Sequence, residues 1–140
     1  MIDDFRGEYR WLSNFHYCHF VWAGLDWDCT ERAYMWAKST DPHDQRSILE
    51  ARTAKDVKAA GRKVKLRDDW EQIKIQIMYE VVREKFFQNP DLAEKLLATG
   101  NEKLVEGNTW NDTFWGVCRG KGENHLGKIL MKVRKELQDA

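Results

Sequence analysis

The sequence predicts an α+β fold, a predominantly helical single domain over residues 1–140 with a small antiparallel sheet. Three observations carry that prediction. Apolar residues recur at helical spacing from about Asp69 to Gln88, helix start and stop signals punctuate residues 30–100, and extended patterning is confined to short pieces near residues 16–29 and 103–120.

Residues 1–29 are aromatic and broken by Gly7 and Gly24, so loops and short strands are expected there. His16 to Trp22 is the best strand candidate, with a turn at Ala23-Gly24 and a return from Leu25 to Cys29. Thr30 reads as an N-cap, with Glu31 and Arg32 opening a helix to about Ser39. Asp41-Pro42 starts a second helix, proline being harmless at the first position. Thr53 caps a third that ends at Gly61. In the longest helix, Trp70, Ile73, Ile77 and Val81, with Met78, Val82 and Phe86, form a broad buried stripe. Asn89-Pro90 closes it, and a short helix follows through Leu97. Extended pieces are expected around Leu104-Val105 and Phe114–Val117. A last helix from near Asn124 should bury Leu126, Ile129, Leu130, Val133 and Leu137.

Composition excludes several classes. Hydrophobic residues at 42% and charged residues at 33% describe a globular chain rather than a disordered one. A net charge of zero argues against bulk electrostatic capture of a polyanion. The balance is uneven, however: Arg52 to Arg67 holds seven basic residues against one acid, Asp56, either a solvated helix face or a phosphate-facing patch. Cys18, Cys29 and Cys118 form no CxxC pair, which argues against a disulfide framework or a four-ligand zinc site. His16 and His19 would lie on opposite faces of a strand, so no metal is expected. Acids near the start do not resemble a signal peptide, and no apolar run approaches a membrane span, so a cytoplasmic location is expected. Seven tryptophans suit a pocket that stacks a flat ring, beyond those the core needs.

Glu31 and Lys38 are seven residues apart, almost two helical turns, and so emerge from one face about 10 Å apart along the axis. Tyr34 and Met35 lie between them as a floor. A desolvated lysine can attack a carbonyl as a neutral amine, and a nearby carboxylate can move protons or steady a cationic sugar. The same spacing also describes two solvated charges on an amphipathic helix. Asp112, ahead of Phe114, Trp115 and Gly116, presents a carboxylate at a pocket rim or simply makes an Asx-turn. Gly120-Lys121-Gly122-Glu123-Asn124 leads into the last helix, where an anion could sit, or Asn124 is a plain N-cap.

Taken in order, these blocks resemble the YbiA-like or NADAR (NAD- and ADP-ribose-associated) domain family over nearly the whole chain. The blocks are Phe5-x-Gly7-x-Tyr9, Leu12-Ser13-Asn14-Phe15, Thr30-Glu31 with Lys38, Gly61-Arg62, Asp69-Trp70-Glu71, Met78 and Lys85-Phe86. Leu97–Gly100, Lys103–Glu106, Asn111-Asp112-x-Phe114-Trp115-Gly116 and Gly122-x-Asn124-x-Leu126-Gly127-x-x-Leu130-Met131 continue the series.

The resemblance implies an N-glycosidase, a hydrolase of the bond between a ribose C1 and a nitrogen, needing no cofactor. Two substrates are implied: ADP-ribosylated guanine in a nucleotide or in nucleic acid, and a phosphoribosylated riboflavin precursor. A non-catalytic ADP-ribose-binding module is the alternative of another class. For the catalytic reading the resemblance implies Lys38 as a Schiff-base nucleophile, with Glu31 and Asp112 moving protons and orienting the ribose. Asn14, Tyr34, Trp115, Gly116 and Asn124 are expected around the substrate, Trp70 with Trp115 stacking the base, and Arg62 with the glycine loop holding phosphate. Many relatives carry His and Gln where this chain has Arg32 and Met35, which removes an amide from the pocket floor.

Overall fold

The computed structural model describes all residues, 1–140. Six α-helices dominate: α1 (Thr30–Ala37), α2 (Pro42–Glu50), α3 (Ala54–Gly61), α4 (Trp70–Phe87), α5 (Pro90–Ala98) and α6 (His125–Asp139). A 3-10 turn at Gly7–Leu12 precedes them. β1 (Phe20–Trp22) and β2 (Leu25–Trp27) make the expected antiparallel hairpin, with Val21 opposite Asp26. Only the end of the His16–Trp22 run joins it. Upstream, Cys18 N–H donates to the Asp28 carbonyl, a single bond outside the paired register.

The helix signals act locally as expected. The Asp41 carboxylate accepts the His43 and Asp44 amides, and the Thr53 hydroxyl accepts the Asp56 amide, each supplying a partner that a helix start lacks. Thr30 differs: it is the first residue of α1 rather than its cap, and its hydroxyl donates to Asn14 Oδ1 at 2.9 Å. That bond ties the loop Ser13–Phe15 to the start of α1.

Helix α4 runs through the middle, packed by α1, α5 and α6. Its buried side is Trp70, Met78, Val81, Val82, Phe86 and one residue absent from the expected stripe, Lys85. Ile73 and Ile77 are half-buried. The Lys85 Nζ donates to the Ser13 carbonyl at 3.0 Å, and burial pulls its ammonium down to about 8. On α6, Leu126, Ile129, Leu130 and Val133 are buried.

The second half departs most from expectation. β3 (Gly107–Asn108) and β4 (Val117–Cys118) pair in parallel, rather than extending around Leu104-Val105 and Phe114–Val117. Leu104 instead bridges Ile2. The Phe114, Trp115 and Gly116 carbonyls accept the His125, Leu126 and Asn124 amides, which holds this segment against the start of α6 and outside any ladder. No helix is long and apolar enough to cross a membrane.

Candidate active site

A cavity of about 630 Å³ opens where α1 and α3 face the loop from Glu106 to Trp115, a size suited to a nucleotide-scale ligand. Of the expected residues, Asn14, Glu31, Arg62, Asp112 and Trp115 line it. Met35 and Met78 supply apolar floor.

Glu31 sits on the first turn of α1, 6% exposed, and burial pushes its carboxyl up to about 7. Lys58, Lys38 and Arg62 oppose that rise while Asp112 reinforces it, so all of these charges converge on one acid. Lys55 and Lys58 on α3 and Arg62 just past its end follow three and four residues apart and all line the cavity. The basic run is thereby divided: Lys65 and Arg67 border a smaller groove of about 380 Å³, where Arg67 is already paired with Asp69 at 2.6 Å.

Asp112 reaches the cavity through a turn that is itself structural. Its Oδ1 accepts the Phe114 and Trp115 amides at 3.1 and 2.9 Å, the Asx-turn expected as the simpler alternative. The Asn108 side chain brackets it, accepting the Asp112 amide at 3.1 Å and donating to the Asp112 carbonyl at 2.8 Å. Turn and rim carboxylate are one feature, not rival descriptions.

Lys38, Tyr34, Trp70, Gly116 and Asn124 lie outside the lining. Lys38 caps the end of α1, half-buried, its Nζ 5.8 Å from the Tyr34 ring centre. Burial lowers its ammonium below the ordinary lysine range; Glu31 opposes this, and Arg62 and Lys74 add to it. Tyr34 is core, its ring 5.2 Å from Trp70 and 5.5 Å from Trp115, so only Met35 of the expected floor pair reaches the cavity. Burial also raises the Tyr34 phenol.

Trp70 is a correction: 4% exposed and packed on Tyr34, it supports the pocket from behind and offers no face to a base. Gly116 is required because a Cβ there would overlap the carbonyl and carboxylate of Glu106. Asn124 is neither a plain cap nor a cavity residue. In left-handed backbone at φ 55°, its Oδ1 accepts the Glu106 amide and its Nδ2 donates to the Leu104 carbonyl, both at 3.0 Å. In the expected phosphate loop, the Glu123 and Asn124 amides already donate to the Thr113 and Gly116 carbonyls and the Lys121 amide to Cys118, and the loop lies outside the cavity lining.

Arg32 is not part of the cavity lining. It turns away from the cavity, its Nη1 donating to the Ile48 and Ala51 carbonyls at 2.9 and 2.7 Å and its Nε to Asp28 at 2.8 Å. The residue after the acid therefore closes the end of α2, where carbonyls lack helical partners. The Met35 departure does fall on the pocket, where Met35 also fills the space left by Gly61.

Several cavity groups had no assigned role in sequence, Arg10, Glu106, Trp110 and Phe15 among them. Glu106 was visible only as the last residue of a motif block. Trp110, 48% exposed, and Phe15 stand at 5.5 and 5.8 Å from the Lys58 Nζ, an aromatic-cationic edge that no local periodicity announces.

Comparison with known proteins places this arrangement. The sequence matches the NADAR domain model over residues 3–138. It is 42% identical to the N-glycosidase Npun_R5314 of Nostoc punctiforme over 81% of this chain and 76% of that protein. It is 35% identical to the N-glycosidase YbiA of Escherichia coli over 93% and 82%. A riboflavin biosynthesis protein of Vibrio vulnificus is 40% identical over 91% of this chain, which spans only 35% of that longer protein. The NMR structure of E. coli YbiA superposes with a TM-score of 0.87 at 33% identity, covering 99% of this chain and 88% of that one. A mostly helical domain with a carboxylate-lined cavity and relatives of these names defines an enzyme class, the hydrolases acting on N-glycosyl bonds. Within that class, the chain belongs to the NADAR domain family.

Proposed function

We propose that the enzyme removes ADP-ribose from ADP-ribosylated guanine, carried by a nucleotide or by nucleic acid. The observation that supports this most is the charge pattern of the cavity. Glu31, Glu106 and Asp112 share it with Arg10, Lys55, Lys58 and Arg62, while a further lining cation, Arg6, is paired with Asp4 at 2.9 Å. Carboxylates suit a sugar C1 that becomes cationic, and several unpaired cations suit a substrate with more than one phosphate.

In this scheme Lys38 attacks C1 after the sugar ring opens, the base leaves with a proton on its nitrogen, and water releases the lysine. Its lowered ammonium favours the neutral amine. Lys38 lies beyond the lining, and Glu31 is the cavity carboxylate whose charge acts on it. Glu31 and Asp112 orient the ribose and carry protons, Trp115 offers the ring against which the base packs, and Arg62 holds phosphate. A second reading, cleavage of a phosphoribosylated riboflavin precursor, is favoured by the name of the V. vulnificus relative. The chemistry is shared and the substrate smaller.

Incubating the protein with ADP-ribosylated guanosine and, separately, with the riboflavin precursor, each with and without borohydride, tests both. Release of guanosine with a borohydride-trapped adduct on Lys38 is expected. Turnover of the precursor alone would select the second reading. Undiminished release by Lys38→Ala would remove the Schiff base, and tight ADP-ribose binding without turnover of either would leave a binding module.

A further inference from the structure

We propose that Glu106 is the catalytic acid that delivers the proton to the departing nitrogen. The role rests on the N-glycosidase reading above and goes beyond the acid–lysine pair visible in sequence.

The first ground is that one oxygen of its half-buried carboxyl is shut away at the cavity wall with no partner. Glu106 Oε2 is shielded from solvent and makes no hydrogen bond. Two other carboxylates have a similarly unpaired oxygen, Glu84 and Glu136, but each has Arg83 within 3.9 Å and neither lines the cavity. Glu106 instead faces Asp112 and Glu31, with Lys58 alone opposing them. Burial first and Asp112 next push its carboxyl up to about 8. A charged carboxylate so placed is costly, and protonation removes that cost.

The second ground is how firmly the backbone of this one residue is held. Its N–H donates to Asn124 Oδ1 at 3.0 Å, and its carbonyl accepts the Val117 amide at 2.9 Å and Asn108 Nδ2 at 3.4 Å. Gly116 lies flat against the carboxyl. Asn108 and Asn124 thus fix the Glu106 backbone, and Gly116 leaves room for its carboxyl. Asp112 is less suited to give a proton, since its Oδ1 already accepts two amides.

The step balances simply. The C1–N bond breaks, its electron pair stays on nitrogen, and that nitrogen takes the Glu106 proton. Water then supplies hydroxide to C1, either directly or at the lysine Schiff base, where its addition breaks the C1–lysine bond and frees the amine, and its remaining proton returns to the Glu106 carboxylate.

The test compares wild type with Glu106→Gln, which keeps shape and volume but holds no acidic proton. Expected are a fall in kcat of about 100-fold or more with KM within about threefold, and loss of the alkaline limb of the kcat profile. Glu106→Gln retaining kcat within about threefold, while wild type turns over, would overturn the role and leave the N-glycosidase reading intact. Carboxyl 13C titration of the wild type and of Glu31→Gln needs no Glu106 variant. One glutamate titrating near pH 8 in both is expected, and ionisation of every glutamate below about pH 6 in Glu31→Gln would overturn the proposal. Wild type that turns over neither substrate would instead overturn the N-glycosidase reading, and the role with it.

Discussion

The two walls of the cavity are built on different principles. One wall is helical: Glu31 and Met35 on α1, with Lys55 and Lys58 on α3 and Arg62 capping its end, are placed by a 3.6-residue period and by side-chain packing. The other, from Leu104 to Trp115, has one two-residue strand, β3, and no helix. Its acids are placed by side-chain amides acting as substitutes for backbone, Asn108 around Asp112 and Asn124 between Leu104 and Glu106. A periodic wall tolerates local error because neighbouring turns share the load. A wall of individual hydrogen bonds does not, and single substitutions should separate the two.

The largest effect on rate belongs to the helical wall. Glu31→Gln should lower kcat about 1000-fold, within the range for losing a positioned acid–base group, with the thermal midpoint little changed. A steady-state assay beside a melting curve checks both.

Next comes a matched glycine pair. Gly116→Ala forces a methyl into the Glu106 backbone and carboxyl, and should cost about 2–3 kcal/mol and about 100-fold in kcat. Gly61→Ala meets the flexible Met35 side chain instead, and should cost about 1–2 kcal/mol with kcat within about fivefold. Equal losses of kcat in urea-melt and rate measurements would erase the distinction between the walls.

Asn124→Ala removes two hydrogen bonds, one of them fully buried, and a residue suited to left-handed backbone, for a loss of about 2–3 kcal/mol by urea denaturation.

Stability should also fall as pH rises. Glu31 and Glu106 have folded values near 7 and 8, above the ordinary 4.5, so the unfolded chain releases these protons first. The stabilisation is full below pH 4.5 and is lost as pH climbs through 7 and 8, by at most about 1.4 kcal/mol per unit per proton. Denaturation at pH 5 and 8.5 measures it, and Glu106→Gln should flatten the upper part. Smallest is Lys55→Ala, an exposed cation at the rim, expected to raise KM about two- to fivefold and leave kcat and stability unchanged.

What the sequence disclosed follows the same division. Helix boundaries, the caps Asp41 and Thr53 and the Glu31 face were legible because period and cap chemistry are local. The roles of Arg32, Asn124 and Gly116 were not, since each is set by a partner at least ten residues away in the chain: Ala51, Leu104, Glu106. Trp70 was misread because an indole on a helix looks the same whether it faces a cavity or the back of one. Lys85 escaped because a fully buried lysine is rare enough that spacing alone argues for solvent.

The loop wall is fastened to both ends of the chain. Ile2 exchanges backbone bonds with Lys103 and Val105, and Asn124 holds Leu104 and Glu106 from the other side. During synthesis α1 to α4 can emerge and begin to pack long before residue 124 leaves the ribosome. The long loop between Ile2 and Leu104 must also close, at an entropic cost that local helices avoid. The carboxylates therefore meet last, and a nascent chain carries its first five helices well before Glu31, Glu106 and Asp112 share one cavity.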